Sequence, residues 1–477
     1  MSMHDSIYTE DGSYRDRESF VFYSQDRICR ALADRSWNAV ERAWREGVLP
    51  ALIRDGLIVR SEKVSESSDE YIRLADRYPG WKHFLVHENI PFVSYPYEWC
   101  FSMLADAAVL HLQIQQVLLK HELSLKDASA FNVQFNGARP IFIDLGSIEE
   151  PTRRDVWIAY SQFCRMFLFP LLLHLYAGMS FKQVFLANIE GPSVDQVVQH
   201  LGRWRVLQPS MFLDVFLQHV LSPHGKKKAR SLRTELQSTG ASAEAQLINL
   251  HRLSRKIEGL RHKKRISGIW IGYEKNNTYQ TPAHAEKETF IRDFMGTYKP
   301  ATVLDLGCNT GEYSICCAQM GARVVSVDSD HDCVEILYQR AKRAQLPVLP
   351  LVMDLANPSP GLGFMNSERG SFLSRAPSDA VIALALVHHL LISARLPVTA
   401  ICRLMESLAR RYLVIEFVER QDEMFQTLLA LRREEDYEEV TLDRFIAVFR
   451  QSFTIIKQMP LQGTKRHLLL MERSTSQ

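Results

Sequence analysis

Apolar and polar residues alternate most regularly in the second half of the chain. The apolar runs there are ATVLDLG, ARVVSVD, LPVLPLVMD, SDAVIALAL, RYLVIEFVE and RHLLLMER. The segment GEYSICCAQM lies between the first and second runs, and HDCVEILYQRAKRA lies between the second and third. Apolar residues in both segments have helical spacing. Strands that alternate with helices predict an α/β domain with a doubly wound parallel sheet, which we place over residues 267–477.

The first 215 residues have a different pattern, because helical periodicity dominates and strand-like runs are short. Those runs lie at residues 57–60, 132–135 and 140–144, and the mixture predicts an α+β domain. The most apolar run, MFLFPLLLHLYAG at residues 166–178, is too short to span a bilayer and contains a proline and a histidine. We interpret it as a buried core helix and expect no membrane span.

Residues 216–266 form the predicted connector between the two domains, and they carry two basic clusters. The clusters are Lys226, Lys227, Lys228, Arg230 and Arg233, then Arg252, Arg255, Lys256, Arg261, Lys263, Lys264 and Arg265. Closely spaced cations can bind an RNA backbone, but no aromatic residues that could stack on bases are interleaved with them. A solvated helix face is the favoured interpretation, since the formal net charge of the whole chain is only +2. We therefore do not expect nucleic acid as a partner.

The cysteines and the N-terminus indicate the compartment. The eight cysteines have no paired CxxC spacing and lie mostly within apolar segments, as reduced core thiols do. The N-terminal stretch MSMHDSIYTEDG is polar and acidic, whereas a signal peptide needs a basic start and an apolar run. We expect a cytoplasmic protein, and the sequence gives no prediction of its oligomeric state.

A small-residue turn after the first apolar run predicts a ligand site. The run reads VLDLGCNTG, in which Gly307 and Gly311 let a ligand approach the backbone closely. Asp328 ends the second predicted strand about 20 residues later, where a carboxylate can accept hydrogen bonds from ribose hydroxyls. Asp354 ends the third predicted strand, where a nucleoside could present its adenine amine. Taken singly, Asp328 could instead cap a helix and Asp354 could belong to a turn.

NAD is the obvious competing ligand, and two features argue against it. The turn lacks the third glycine of the dinucleotide fingerprint, and Glu312 at the start of the next helix would repel a pyrophosphate. A ligand with adenosine but no phosphate fits all three carboxylates. In this order and spacing, the stretch resembles the class I S-adenosylmethionine-dependent methyltransferases, with their Rossmann-like sheet, across some 200 residues.

That resemblance implies how the cofactor, S-adenosyl-L-methionine, is held. Asp305, Gly307, Asn309 and Gly311 would surround its methionyl part, Asp328 its ribose, and Asp354 with Leu355 its adenine. Asn309 stands where many family members have glycine, and asparagine is tolerated in such turns.

Methyl transfer from a sulfonium needs an oriented, deprotonated acceptor and no metal. The fourth apolar run ends in Val387-His388-His389-Leu390, which resembles the segment that faces the methyl group in this family. His388 could take the acceptor's proton, or it could only pack. Glu416 and Tyr279 are further candidates, and the segment of residues 270–279 could form a lid over a polar small molecule.

The N-terminal domain carries a second pattern, SLKDASAFN followed by IDLG. It resembles the catalytic loop and metal-binding turn of kinase-like phosphotransferases, which would make Asp127 the base and Asn132 and Asp144 the magnesium ligands. Leu125 replaces the usual histidine, no glycine-rich loop is found, and Lys63 is the nearest candidate for the strand lysine. A degenerate kinase-like domain that binds the acceptor or serves assembly is favoured over an active kinase.

The combination of HENIPFVSYPYEWCFSMLADAA, LKDASAFNVQF and IFIDLGSIE with the methyltransferase pattern resembles the rhizobial host-specific nodulation proteins of the NoeA type. The resemblance implies a role in symbiosis, as an enzyme that modifies a nodulation signal or another glycan. The leading hypothesis is thus a methyltransferase acting on a small molecule or glycan precursor. An RNA methyltransferase that uses the basic connector and a non-catalytic scaffold are the alternatives. No Asn-Pro-Pro-Tyr motif, which would signal methylation of a base nitrogen, follows Leu384.

Overall fold

The computed structural model describes residues 7–152, 157–220, 243–266, 282–430 and 432–474. The chain divides into two compact units. Unit 1 comprises Met1–Phe135, Pro140–Arg265 and Leu362–Arg369, and unit 2 comprises Asn136–Arg139, Ile266–Gly361 and Gly370–Gln477.

Unit 1 is built on a five-stranded antiparallel sheet with the strand order β1-β2-β3-β5-β4. The strands of this part of the chain are β1 Ile7–Thr9, β2 Ser19–Ser24, β3 Arg27–Leu32, β4 Ser61–Lys63, β5 His83–His87, β6 Ser124–Leu125, β7 Val133–Asn136, β8 Arg139–Phe142 and β9 Ile148–Glu149. Phe22, Cys29, Ala31 and Phe84 form a core on one face of the sheet, and Leu74 of the helix Asp69–Arg77 closes it. The sequence pattern predicted β7 and β8 but missed this sheet.

The helices of the N-terminal half are α1 Asp34–Arg45, α2 Val48–Arg54, α3 Asp69–Arg77, α4 Phe101–Lys120, α5 Tyr160–Phe163, α6 Phe169–Ala177, α7 Phe181–Ala187, α8 Val194–Leu201, α9 Arg203–Val206, α10 Pro209–Met211, α11 Leu217–Val220 and α12 Ala243–Lys263. Helix α4 is mostly buried. Helix α6 carries the most apolar run and is buried along Phe169–Leu173, as the sequence predicted. Among the helices of the described ranges, none has the length and apolarity to cross a membrane.

Helix α12 lies within the stretch that the sequence predicts to be a connector, and it packs on α4. Leu250, Leu253, Ile257 and Leu260 are buried at helical spacing. Several cations of the second basic cluster bind carboxylates. Arg252 and Lys256 bind the buried Asp214, and Arg261 binds Asp106. These three cations are therefore engaged within unit 1, while the first cluster lies outside the described residues.

Unit 2 contains a seven-stranded sheet with the order β12-β11-β10-β13-β14-β16-β15. Its strands are β10 Thr302–Leu306, β11 Arg323–Asp328, β12 Val348–Val352, β13 Ser378–Ala383, β14 Ala409–Val418, β15 Phe453–Pro460 and β16 Arg466–Arg473. Strands β10 to β14 run parallel, whereas β16 is antiparallel to both β14 and β15. The sheet is therefore mixed rather than all parallel, and β15 is a strand that the sequence pattern missed.

The helices of unit 2 are α13 Pro282–Tyr298, α14 Glu312–Gln319, α15 His331–Ala344, α16 Phe372–Arg375, α17 Val398–Leu408, α18 Glu423–Leu429 and α19 Leu442–Phe449. The strand order reverses between β10 and β13. In open α/β sheets a ligand binds beyond the carboxyl ends of the strands at such a reversal, so the topology predicts where to search for the site.

Candidate functional site

A cavity of about 750 Å³ opens at the carboxyl ends of β10, β11, β12 and β13. Six residues that the sequence assigned to cofactor binding line it: Asp305, Gly307, Asn309, Asp328, Asp354 and Leu355. Gly311 is not among the lining residues. The parallel strands thus bring the predicted residues together at one edge of the sheet.

The turn after β10 needs its unusual residues because the backbone is left-handed there. Gly307 has φ +74°, Asn309 has φ +48° and Gly311 has φ +85°. The Asn309 N–H donates to Asp328 Oδ2 at 2.8 Å, which ties the turn to the end of β11. A Cβ on Gly311 would overlap the side chain of Leu337 in α15, so Gly311 serves the packing of this helix under the turn.

The three carboxylates at the strand ends differ in their surroundings. Asp305 is buried and accepts a hydrogen bond from Ser314 Oγ at 2.5 Å, and burial raises its pKa to about 6. Asp328 accepts the Asp330 N–H at 2.8 Å, and burial raises its pKa as well. Asp354 is exposed and accepts the Ala356 N–H at 2.9 Å. Asp354 makes the turn contact that the sequence left open, whereas the N-cap of the helix after β11 is Asp330 and not Asp328. Both Asp328 and Asp354 line the cavity.

The two adjacent histidines after β13 lie in different places. His389 lines the cavity, whereas His388 does not and is only 1% exposed. Neither ring nitrogen of His388 has a hydrogen-bond partner within the described part of the chain. Burial lowers the pKa of both imidazoles, and the positive charge of Arg466 adds to the effect, so the neutral form of each ring is favoured.

Glu416 is fully buried and forms an ionic network with Lys287 and Arg466, two residues that line the cavity. Lys287 Nζ lies 2.7 Å from its Oε2, Arg466 Nη1 lies 3.3 Å from its Oε1, and the Ala385 N–H donates to Oε2 at 2.9 Å. Arg466 also forms a bidentate pair with Asp422 at 2.8 and 3.0 Å. Burial alone would raise the pKa of Glu416, but Lys287 and Arg466 outweigh it and hold the pKa below its usual range.

Ala385 lines the cavity with φ +49°, which is strained for a residue with a side chain. The hydrogen bond from its N–H to Glu416 stabilises this conformation. Tyr279 and the rest of the proposed lid lie outside the described residues.

A pair that the sequence analysis missed lies at the same cavity. His284 near the start of α13 and Glu312 at the start of α14 both line it, with Nε2 and Oε2 2.7 Å apart. Both side chains are partly exposed. The two residues are 28 positions apart, so only the packing of α13 beside α14 brings them together.

The residues of the kinase-like pattern in unit 1 also lie close to one another. The Asn132 side-chain amide donates to Asp127 at 3.0 Å and to Asp144 at 3.1 Å. Arg30 of β3, which is buried, places its guanidinium 2.8 Å from the other Asp144 oxygen. Lys63 is turned to Glu41 of α1 instead, at 3.3 Å. In the described ranges, no group of three or more histidine, cysteine, aspartate or glutamate side chains is placed to hold a metal ion.

Comparison with known proteins gives one strong likeness in sequence. The nodulation protein NoeA of Rhizobium meliloti (strain 1021) is 33% identical over 471 residues, which cover 97% of this chain and 96% of that protein. The chain belongs to the NoeA family of nodulation proteins. No protein-family model matches this chain.

Solved structures resemble part of this member of the NoeA family at low identity. The N-methyltransferase NodS from Bradyrhizobium japonicum WM9 with S-adenosyl-L-homocysteine is 13% identical, covers 43% of this chain and 96% of its own, and gives a TM-score of 0.31. Magnesium protoporphyrin IX methyltransferase from Synechocystis PCC 6803 is 20% identical over 40% of this chain and 84% of its own, with a TM-score of 0.30. The bifunctional kinase-methyltransferase WbdD is 17% identical over 42% of this chain and 41% of its own, with a TM-score of 0.29. The ligands and activities in those names belong to those proteins.

Proposed function

We propose that the chain is an S-adenosylmethionine-dependent methyltransferase that modifies a small molecule or glycan precursor in host-specific nodulation. The observation that carries the proposal is the cavity at the strand reversal, with Asp305, Asp328 and Asp354 at three successive strand ends. Membership of the NoeA family supports the nodulation role.

The charge of the cavity favours a cationic adenosyl ligand over a dinucleotide. S-adenosylmethionine has a net positive charge, because its sulfonium and ammonium outnumber its one carboxylate, and this suits a cavity lined by Asp305, Asp328 and Asp354. A pyrophosphate would need donors and cations at the turn, where Glu312 adds a further negative charge. The two lining cations, Lys287 and Arg466, are bound to Glu416. The residues present therefore fit S-adenosylmethionine.

In this proposal, Gly307 and Asn309 bring the backbone up to the methionyl part, Asp328 holds the ribose, and Asp354 with Leu355 contacts the adenine. Bound there, the cofactor supplies an activated methyl group. The chain orients the acceptor against that group and removes a proton from it. His284, Tyr313, His389 and Ser393 are polar lining residues, and they suit a hydroxyl or amine acceptor.

Calorimetry with the full chain tests cofactor binding. We expect S-adenosylmethionine to bind, NAD not to bind, and Asp328→Ala to weaken binding by about 1.5 to 3 kcal/mol through loss of charge-assisted hydrogen bonds. The matched control is Asp379→Ala, because Asp379 also accepts a backbone N–H, from Thr302, but at the amino end of its strand and away from the cavity. An affinity that falls equally in both variants would contradict the ribose assignment.

The acceptor class is tested by transfer of label. Purified protein would be incubated with methyl-labelled S-adenosylmethionine and an extract of small molecules and glycans from cells that lack the protein. We expect label in a small-molecule or glycan fraction. Label in RNA added to a parallel reaction would favour the RNA methyltransferase alternative, and no label in any fraction would favour a scaffold.

Cofactor affinity should depend on pH through Asp305. Its pKa of about 6 means that the carboxyl group loses its charge as the pH falls through this value, and with it the attraction for a cationic ligand. We expect the affinity for S-adenosylmethionine to be level above pH 7 and to fall by up to about tenfold per pH unit below pH 6. Calorimetry between pH 5 and 8 measures this, and Asp305→Asn should bind more weakly and lose the part of the pH dependence that comes from Asp305. A wild-type affinity that stays level down to pH 5 would contradict the assignment.

For unit 1 we propose a degenerate kinase-like domain without phosphotransferase activity. Arg30 already neutralises Asp144, and the Asn132 amide donates to the carboxylates of both Asp127 and Asp144. The groups that would bind magnesium are therefore bound to one another. We expect no release of phosphate from ATP with magnesium beyond that of an Asp144→Asn variant. Turnover that is present in the wild type and lost in Asp144→Asn would establish the active-kinase alternative.

A further inference from the structure

His284 and Glu312 form a hydrogen-bonded pair on the wall of the cavity, and its geometry fixes the state of the imidazole. An ionised carboxylate has no proton to donate, so His284 Nε2 carries the hydrogen and donates it to Glu312 Oε2 over 2.7 Å. In the neutral ring the lone pair is then on Nδ1. The ring is thus held in the tautomer whose acceptor nitrogen is Nδ1.

The other candidate bases of the cavity are less suited to take a proton. Glu416 is fully buried between two cations, so its carboxylate is already neutralised. His388 is 1% exposed and does not line the cavity. His389 lines it, but burial and the nearby Arg466 disfavour its protonated form. His284 is partly exposed and has a carboxylate that stabilises the imidazolium once it forms.

We propose that His284 is the general base for the methyl acceptor and that Glu312 positions and stabilises it, an inference that depends on the proposed methyltransferase function. A bond forms between the acceptor oxygen or nitrogen and the methyl carbon while the carbon–sulfur bond breaks, and its electron pair stays on sulfur. The proton of the acceptor moves to His284 Nδ1, and Glu312 faces the resulting imidazolium. The acceptor is accordingly a hydroxyl or an amine that must lose a proton.

The tautomer of the His284 ring can be measured without any turnover. Nitrogen-15 NMR of histidine-labelled full-length protein distinguishes the two tautomers of each ring, and the His284 signals are those missing in His284→Ala. We expect the Nε2–H tautomer in the wild type and a mixture of tautomers in Glu312→Ala. An Nδ1–H tautomer in the wild type would overturn the proposal, because Nδ1 could not then accept a proton.

The activity test uses the labelled acceptor fraction defined above. We expect His284→Ala to lower turnover by roughly 10² to 10⁴ with an affinity for S-adenosylmethionine within twofold of the wild type. Added imidazole should restore part of the activity, since the site is open to solvent. Glu312→Gln should lose less, because its amide oxygen still accepts the Nε2–H.

His467→Ala is the matched control, because His467 pairs with Glu419 at 2.6 Å outside the cavity lining. It should keep wild-type turnover. Full turnover in His284→Ala, or a loss that imidazole does not restore, would overturn the assignment. In that case a comparable loss in His388→Ala would favour the sequence prediction for His388. No cofactor binding by the wild type would instead refute the proposed function itself.

Discussion

Replacing Glu416 by glutamine should destabilise unit 2 by about 3 to 5 kcal/mol, because two cations would lose their shared buried anion. Lys287 and Arg466 lie 2.7 and 3.3 Å from the Glu416 oxygens, and all three side chains are largely shielded from water. Glutamine keeps the shape and can still accept the Ala385 N–H, so the loss reports the missing charge. For a unit of this size, the melting temperature should fall by roughly 6 to 20 °C.

Differential scanning calorimetry measures the effect on the transition of unit 2. Glu419→Gln is the control, since Glu419 pairs with His467 at 2.6 Å in a partly exposed position. An exposed pair of this kind contributes about 0 to 1 kcal/mol. Equal melting temperatures for the two variants would show that the Glu416 network does not stabilise the fold.

Gly311→Ala should cost about 2 to 5 kcal/mol of folding stability. The substitution places a Cβ in a backbone with φ +85°, at about 1 to 2 kcal/mol, and drives it into Leu337, at about 1 to 3 kcal/mol. Helix α15 would have to shift away from the turn that carries Asn309. The affinity for S-adenosylmethionine should fall as well.

Gly321→Ala separates the cost of the positive φ from the cost of the overlap with a neighbouring side chain. Gly321 has φ +97°, but a Cβ there would meet nothing within 4 Å. We expect only the conformational part, about 1 to 2 kcal/mol, and no effect on cofactor affinity. Calorimetric melting measures the loss of folding stability, and titration with S-adenosylmethionine measures the affinity. A Gly311→Ala protein as stable as Gly321→Ala would mean that the Leu337 side chain moves aside without loss of folding stability.

The convergence of the strand-end carboxylates on one cavity could be predicted from the sequence because it depends on local pattern. Parallel strands that alternate with helices place their carboxyl ends at one edge, so Asp305, Asp328 and Asp354 were expected to meet. The helix His331–Ala344 agrees with its predicted bounds for the same reason, since a clear amphipathic period is a local property.

The positions of the two histidines, of Glu416 and of His284 depend on features that local pattern does not contain. A π-helical turn at His389–Ser393 changes the helical phase, so the sequence could not tell which of His388 and His389 faces the cavity. Glu416 meets Arg466 because β16 returns antiparallel beside β14, and this register is set over 50 residues of chain. His284 meets Glu312 only through helix packing.

The sheet of unit 1 was missed because its hairpin turn lacks the usual residues. Gln25 and Asp26 connect β2 to β3 with φ of +50° and +60°. Two positive φ values in a two-residue hairpin are normally signalled by Asn-Gly or Asp-Gly. The outer strands β1 and β4 have three residues each, which is too short for alternation to be recognised.

The eight cysteines can serve as probes of the rate of local opening. All are buried and none forms a disulfide in the described structure, and burial raises the pKa of Cys29 to about 11 and of Cys164 to about 12. A thiol reagent therefore modifies each one only when its surroundings open. Cys29, Cys100 and Cys164 belong to unit 1 and the other five to unit 2. Labelling followed by peptide mass spectrometry would time the opening of each unit separately. We expect S-adenosylmethionine to slow the modification of Cys308, which lines the cavity.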